Sequence, residues 1–321
     1  MPFSEQAEDR KLERLVRGVD DPLEIFDDAL RQLGGASRFE SLGSDGLLVH
    51  HVRGGRGAPP VVFVHGLGSA GYLEWRFNLP AVARSHRVFA PDLPGFGRSD
   101  QPPDGYGVPL FARVVEEYLR VHRLRPVLVG ASMGGRVVLE VALRRPEGVR
   151  GLVLVNALGV VRPSPHLFYP LVMVPGVGEG VLGLMREALN RLPARAIRHY
   201  ASRYLGVAGD VELVLDEHYL ASLREMHATE GYPRAYASTV RALIRRESQQ
   251  VDSLLDHLAA TRLPVGLIWG ERDRLLPLER AREAQRRLPG ARLEVIEGAG
   301  HAPQAERPEA FNRALEGFLA T

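Results

Sequence analysis

Residues 126–145 of this 321-residue chain, PVLVGASMGGRVVLEVALRR, carry the clearest indication of its fold class. This stretch opens with a short apolar run, continues with the pattern G-x-S-x-G over residues 130–134, and ends in a helical pattern of apolar residues. A run that is apolar on both faces is typical of a parallel strand covered by helices. The stretch therefore predicts a strand, a sharp turn and a helix, with Ser132 at the turn, where the ligands of α/β proteins bind.

The pattern G-x-S-x-G is a weak signal by itself, and a glycine-rich helix start with Ser132 as its N-cap is the alternative. The strand before it and the helix after it favour a nucleophile, because a strained turn needs small neighbours on both sides of the serine. Such a turn presents the Ser132 hydroxyl at the edge of the sheet. The Met133 N–H then lies at a helix N-terminus, where it stabilises negative charge that develops on a substrate oxygen.

The same alternation between short apolar runs and helical patterns extends over most of the chain. It predicts an α/β fold with a mostly parallel, eight-stranded sheet and helices on both faces. The predicted strands are Arg38–Leu42, Leu47–Arg53, Val61–His65, Arg87–Pro91, Val127–Gly130, Leu152–Asn156, Val265–Gly270 and Leu293–Glu297. The predicted helices include Leu110–His122, Met133–Arg145, Leu278–Leu288 and Glu306–Leu319.

The points where this alternation begins and lapses divide the chain into three regions. Residues 1–35 are expected to form an amphipathic helical extension that ends at a Gly-Gly pair and packs against the main body. Residues 36–156 and 263–321 are expected to form the α/β core. Residues 157–262 contain helical patterns and no clear strand, and they predict a helical insertion after one strand of the sheet.

The loop Val64–Gly68 follows another apolar strand and supplies a second candidate for binding an oxyanion. The expected donor is the backbone N–H of Leu67. A plain glycine turn is the alternative, and for the side chain of His65 we expect only a structural role as a hydrogen-bonding residue.

Two further loops place titratable side chains just beyond the carboxyl ends of strands. Asp273 follows the strand that ends at Gly270, and His301 follows the strand that ends at Glu297. Taken singly, an Asp in a turn is usually a cap and a His in a loop usually has no function. The chain order Ser132, Asp273, His301 is that of a nucleophile, an acid and a base on an α/β sheet. We therefore predict that these side chains converge at one edge of the sheet.

Together these motifs resemble those of the α/β-hydrolase superfamily. The matching segments are HGLGS (65–69), APDLPGFGRSD (90–100), GASMGG (130–135), GERDRLLP (270–277) and GAGHAPQAERPEAFNRALEGF (298–318). The resemblance implies the α/β-hydrolase fold, a helical cap (lid) over the active site within residues 157–262, and Asp273 as the acid of the catalytic triad. Some members carry the acid after an earlier strand, where this chain has Asn156.

The predicted activity is hydrolysis of a carboxylic ester through an acyl-enzyme on Ser132, with His301 as the base and no metal or cofactor. Relatives that open epoxides or cleave carbon–halogen bonds have Asp as the nucleophile. The main alternative is a carbon–carbon bond hydrolase that acts on vinylogous diketones. Such enzymes commonly have Asn before the serine and Trp after the histidine, where this chain has Ala131 and Ala302. Haloperoxidase-like members usually have an aromatic residue at the position of Leu67.

The expected partner is a small-molecule substrate with an apolar acyl group, because the insertion is rich in apolar side chains that could line an acyl site. The core of the insertion itself is the alternative for many of them. These residues are Phe168, Tyr169, Leu171, Val172, Val174, Val181, Leu182, Leu184 and Met185. Arg241, Arg245 and Arg246 could bind a substrate carboxylate, although such a run is more often a solvated helix face.

Two other classes of function are disfavoured, namely an NAD-binding oxidoreductase and a non-catalytic binding protein. Gly66–Gly71 fits the dinucleotide-binding pattern G-x-G-x-x-G, with Asp92 about 20 residues beyond it. Asp92 lies in a proline-rich loop, however, which suits contact with a ribose poorly. A non-catalytic binding protein on this fold is expected to lack a member of the triad, whereas all three residue types are present here.

Composition narrows the remaining possibilities. The 41 basic and 39 acidic residues give a net charge of +2, which predicts no dedicated nucleic-acid surface. The absence of cysteine excludes disulfides, thiolate metal ligands and a cysteine nucleophile. The N-terminus lacks the apolar core of a signal peptide, and the most apolar stretch, 167–185, is interrupted by prolines and Glu179. We expect a cytoplasmic protein with no integral membrane segment.

Overall fold

The computed structural model describes residues 31–44, 46–160, 172–204, 206–247 and 251–320. Within these ranges the chain forms eight strands and thirteen α-helices. The strands are β1 (Ala36–Leu42), β2 (Leu47–Gly54), β3 (Val61–Val64), β4 (Val88–Pro91), β5 (Val127–Ala131), β6 (Gly151–Val155), β7 (Val265–Gly270) and β8 (Arg292–Ile296). The helices are α1 (Gly71–Trp75), α2 (Leu79–Ala83), α3 (Val108–Val121), α4 (Met133–Arg144), α5 (Val177–Arg191), α6 (Ala194–Tyr204), α7 (Val211–Val214), α8 (Glu217–Ala228), α9 (Tyr232–Glu247), α10 (Val251–Thr261), α11 (Leu278–Arg287), α12 (Pro303–Glu306) and α13 (Pro308–Leu319).

All eight strands belong to one sheet, in the order β1-β2-β4-β3-β5-β6-β7-β8. β1 pairs antiparallel with β2, and β2 pairs antiparallel with β4. The remaining neighbours, from β4 through β3 to β8, pair parallel. The predicted mostly parallel, eight-stranded sheet is confirmed, and each predicted strand end lies within two residues of the observed one. Because the parallel strands end at a common edge, the loops after β3, β5, β7 and β8 open onto the same side of the molecule.

Alternate residues of the parallel strands pack into two hydrophobic cores, one on each face of the sheet. Leu128 of β5 packs on one face, with side chains of α3 and α4. Its neighbour Val129 packs on the other face, in a core that contains Trp75 of α1 and Phe311 of α13. This double burial explains why the central strands β3, β5 and β6 contain no polar side chain.

The predicted helix Glu306–Leu319 starts two residues later in the structure. α12 ends at Glu306, and α13 begins at Pro308. Arg307, between them, has φ −143° and ψ 61°, outside the helical region. The reason is Pro308, whose ring disfavours the helical conformation for the preceding residue and which is well accepted at the start of a helix.

Six of the described helices, α5 to α10, lie between β6 and β7 in the chain, where the sequence predicts a helical insertion. The predicted N-terminal helical extension falls mainly on residues 1–30, which lie outside the described residues. Across the described ranges, no helix has both the length and the apolarity needed to cross a bilayer.

Candidate active site

Ser132 occupies a strained turn between β5 and α4. Its backbone has φ 50° and ψ −116°. This conformation is strained for any residue that carries a side chain, so it is unfavourable in free energy. The glycines on either side are sterically required: a Cβ on Gly130 would lie 2.5 Å from the Gly134 carbonyl oxygen, and a Cβ on Gly134 would lie 2.2 Å from that of Val64. The glycines of G-x-S-x-G therefore do what the sequence predicts, and they allow the serine to sit at the turn.

Loops after β7 and β8 bring an acid and an imidazole to this serine. His301 Nε2 lies 3.1 Å from the Ser132 hydroxyl oxygen. On the other side of the ring, His301 Nδ1 lies 2.9 Å from Asp273 Oδ2. Three residues that are far apart in the chain thus form one continuous series of hydrogen bonds. The Asp273 side chain is fully buried, and the His301 side chain is 18% exposed.

The charges and hydrogen bonds of this series favour the ionised form of Asp273 and make the His301 imidazole more basic. Burial raises the pKa of Asp273, but His301 and the N–H groups that point at the carboxylate lower this pKa by more, so it lies below its ordinary value. Burial lowers the pKa of His301, but the Asp273 carboxylate raises this pKa by more. An ionised Asp273 accepts a hydrogen bond from Nδ1–H, so Nε2 is left as the acceptor that faces Ser132.

Asn156, which follows β6, holds the acid in place. Its side-chain NH2 group donates to Asp273 Oδ2 and, over 3.2 Å, to the Gly300 carbonyl. Its side-chain oxygen accepts the N–H of Gly270 at 2.9 Å. Asn156 also adopts a positive φ of 39°. The contact between Asn156 and Asp273 was not predicted from the sequence. The signal for it is that Asn156 follows β6, which pairs with β7.

Glu306 is 1% exposed, and its contacts with the site were not predicted from the sequence. Its Oε2 accepts the N–H groups of Gly300, Ala208 and Gly209 at 2.8, 2.9 and 2.5 Å. Its Oε1 accepts that of Ala302 at 3.0 Å. Two of these donors flank the candidate histidine and two belong to the insertion. The Glu306 carboxylate therefore connects the loop that carries His301 to the insertion through hydrogen bonds.

The loop after β3 packs against the serine turn, as an oxyanion-binding loop requires. A Cβ on Gly66 would lie 3.4 Å from the Ser132 Cβ. Met133 is the first residue of α4, so its N–H has no partner within the helix. The roles of Leu67 and Met133 as oxyanion donors stay predictions. His65 has the expected structural role, because Nδ1 donates to the Gly66 carbonyl at 2.8 Å and Nε2 accepts the Leu93 N–H at 2.9 Å.

The insertion contacts the site at two points. The Gly206 carbonyl accepts the N–H of His301 at 2.9 Å. Above the loop after β3, a Cβ on Gly68 would lie 3.1 Å from the Tyr236 ring and 3.2 Å from the Tyr232 hydroxyl. Both tyrosines belong to α9, and neither was singled out from the sequence.

The described apolar residues that the sequence suggested for an acyl site lie either in the core of the insertion or at its surface. Val172 and Leu182 pack with Ala237 and Val240 in a core of the insertion itself. Val174, Met185 and Leu184 are 51%, 37% and 74% exposed, so they face solvent. Phe168, Tyr169 and Leu171 lie outside the described residues. For the exposed residues the expectation is wrong, because a helical apolar pattern does not distinguish a pocket wall from an exposed face.

Asp92 and Arg241, which were considered as ligand-binding residues from the sequence, have hydrogen-bond partners within the protein. Asp92 Oδ1 accepts the Gly71 N–H at 2.6 Å, and its Oδ2 contacts Arg98 N and His50 Nδ1 at 2.9 and 2.8 Å. These bonds occupy the carboxylate that a dinucleotide ribose would need. Arg241 pairs with Glu179 and donates to the Val172 carbonyl. The side chains of Arg245 and Arg246 are outside those described.

Comparison with known proteins agrees with this architecture. A profile of the alpha/beta hydrolase fold matches residues 59–308. The chain belongs to the α/β-hydrolase family. A 2-hydroxy-6-oxo-2,4-heptadienoate hydrolase of Pseudomonas putida is 33% identical to this α/β hydrolase over 266 residues, which cover 81% of this chain and 89% of the relative.

Two solved structures share the fold of this α/β hydrolase at lower identity. An esterase from Thermogutta terrifontis is 21% identical with a TM-score of 0.67, covering 89% of this chain and 98% of that one. A meta-cleavage product hydrolase from Pseudomonas fluorescens is 24% identical with a TM-score of 0.68, covering 88% and 97%. The fold and the names of the relatives support a hydrolase and leave the choice between ester and carbon–carbon bonds open.

Replacing the Glu306 carboxylate by an amide tests its role in holding the loop of His301. We expect Glu306→Gln to lower the free energy of unfolding by about 1–3 kcal/mol, because an NH2 group then faces backbone N–H donors inside the protein. Urea unfolding measures this change. Glu309→Gln, at an exposed position of α13, is the matched control and should leave stability within about 0.5 kcal/mol of the wild type. Equal stability of the two variants would contradict the role.

Proposed function

We propose that this α/β hydrolase is a serine hydrolase that cleaves carboxylic esters through an acyl-enzyme on Ser132. The observation that carries the proposal is the series Asp273–His301–Ser132, with hydrogen-bonding distances of 2.9 and 3.1 Å and the serine at a strained turn. An alcohol is a poor nucleophile by itself, and a base that is oriented by a buried carboxylate makes it reactive.

The reaction follows from these contacts. His301 Nε2 takes the hydroxyl proton as the Ser132 oxygen attacks the ester carbonyl carbon. The carbonyl oxygen gains a negative charge, which the N–H groups of Leu67 and Met133 stabilise; each such donor contributes about 3 kcal/mol to catalysis. Protonated His301 then gives its proton to the alcohol oxygen as the bond between this oxygen and the acyl carbon breaks. In the second half, His301 takes a proton from water as the water oxygen attacks the acyl carbon. Protonated His301 returns this proton to the Ser132 oxygen as the acyl–serine bond breaks, which releases the acid and free Ser132.

The acyl group of the substrate is proposed to be apolar and uncharged. Leu67 and Tyr236 pack with the apolar core of the insertion beside the serine loop, which gives this side of the site an apolar wall. Two arginines that contact the insertion are occupied. Arg76 donates to the Val214 carbonyl and contacts Asp216, and Arg241 pairs with Glu179. Neither offers a free guanidinium to a substrate carboxylate.

Carbon–carbon bond hydrolysis is the second candidate, because the Pseudomonas putida relative at 33% identity is named as a hydrolase of a hydroxy-oxo-dienoate. Ala131 and Ala302 speak against it, since carbon–carbon hydrolases commonly carry Asn and Trp at these positions. Both chemistries would use the same serine and histidine, so the substrate rather than the triad distinguishes them.

A panel of activated esters with graded acyl length, run beside a vinylogous diketone, tests the proposal. We expect turnover of the esters, with kcat/KM rising as the apolar acyl chain lengthens from acetyl. Ser132→Ala should lower kcat by at least about 10⁴-fold. Ser253→Ala, on the exposed surface of α10, is the matched control and should retain wild-type turnover. Turnover of the diketone alone would replace the ester proposal by the second candidate, and turnover of neither would reject both.

The pH dependence of the rate tests His301 as the base. Only the neutral imidazole accepts a proton, so kcat/KM should fall as the pH falls through the pKa of His301. Asp273 raises that pKa above its ordinary value of 6.5, so the fall should have its midpoint above pH 6.5. Asp273→Asn removes the charge that raises the pKa and should shift the midpoint to lower pH. A wild-type rate that stays constant from about pH 5 to 8 would rule out this assignment.

A further inference from the structure

A second cluster of titratable side chains lies away from Ser132, at the antiparallel edge of the sheet. Glu40 is on β1, His51 is on β2, and His122 follows the end of α3. Each offers one potential ligand atom, and these atoms all lie within 4.8 Å of one another. His122 Nε2 and Glu40 Oε2 are 3.6 Å apart. β4 and β3 separate this edge from the strand that carries the serine, so the cluster is independent of the candidate active site.

His51 is the unusual member of the cluster. It is 1% exposed, and neither ring nitrogen has a hydrogen-bond partner in the described protein. The Nε2 atom of His122 is likewise buried without one. Aromatic neighbours surround them: the His51 ring centroid is 5.3 Å from that of His122 and 5.2 Å from that of Tyr118. Buried polar atoms without partners cost free energy, so this arrangement calls for a ligand that binds nitrogen.

The donor set of the cluster suits a divalent transition-metal ion. Two imidazole rings and one carboxyl group meet at this edge of the sheet, and their potential ligand atoms lie close together. Neutral imidazole and carboxylate are ligands that Zn²⁺ and similar transition metals accept.

We propose that Glu40, His51 and His122 form a binding site for one divalent transition-metal ion, of which Zn²⁺ fits the donors best. Four-coordinate Zn²⁺ with bonds of about 2.1 Å holds its ligand atoms about 3.4 Å apart. The separation of 3.6 Å between His122 and Glu40 is close to this value. The other pairs, within 4.8 Å, approach it after small side-chain rotations. A solvent molecule completes the coordination.

The site has an entry path and a structural consequence. The Glu40 side chain is 33% exposed, so an ion can reach its carboxyl group from solvent. Binding would join the hairpin of β1 and β2 to the end of α3. The ion would thus stabilise the edge of the sheet without contacting the reacting atoms of a substrate. The positive charge of Arg53 opposes the ion, so we expect affinity weaker than that of a site with two carboxylates.

Calorimetric titration of the full-length, chelator-treated protein with Zn²⁺ tests the proposal. We expect one ion to bind per chain and the Tm to rise with Zn²⁺ concentration. His122→Ala and Glu40→Gln should each weaken the affinity by at least about 100-fold. These positions are chosen because they are partly exposed, whereas substitution of the fully buried His51 risks the fold. Co²⁺ gives a second readout, since tetrahedral coordination produces an intense visible absorption that both variants should lose.

Two control variants locate the ion. His257→Ala removes an exposed histidine of α10, and His301→Ala removes the imidazole of the candidate active site; both should bind Zn²⁺ as the wild type does. Absence of binding to the wild type would overturn the proposal. Binding that survives both His122→Ala and Glu40→Gln would overturn it as well, since the ion would then lie elsewhere. None of these readouts depends on the proposed esterase activity.

Discussion

The arrangement of this α/β hydrolase depends on one buried charge, the carboxylate of Asp273. An ionised group without contact to water is strongly destabilising unless hydrogen bonds and an opposite charge compensate for it. Here the N–H groups of Leu275 and Leu276, at 2.8 and 2.9 Å, satisfy Oδ1. Asn156 and the imidazole of His301 satisfy Oδ2. The same bonds that stabilise the charge orient the imidazole toward Ser132, so the stability of this loop and the geometry of the site have one cause.

Several of these features follow from the sequence because their causes are local. Strands buried on both faces must be apolar throughout, so runs such as VVFVH and LVLVN identify the sheet directly. A strained serine turn must have glycine on both sides, and the contacts of Gly130 and Gly134 with neighbouring backbone show why. Parallel strands end at one edge, so titratable residues placed just after β7 and β8 are brought together by topology alone.

Features with non-local causes were missed. Glu306 looks like any helical glutamate in the sequence, and its partners Ala208 and Gly209 are about a hundred residues away. Asn156 acquires its contact with Asp273 only through the adjacency of β6 and β7. One error has a local cause instead, since Pro308 places the start of α13 two residues after the predicted one. Leu184 shows an error of the opposite kind, because it was suggested for an acyl site and is exposed in the structure. An apolar helical pattern does not show which other residues cover it.

Ser132 is the proposed nucleophile, and covalent labelling examines this role without any assumption about the substrate. The protein is treated with a fluorophosphonate, digested, and the modified peptide is identified by mass spectrometry. We expect one adduct per chain on Ser132 and a large loss of the labelling rate in His301→Ala, because the neutral hydroxyl is then no longer activated. A stoichiometric adduct on another residue, or no adduct on a folded protein, would contradict it.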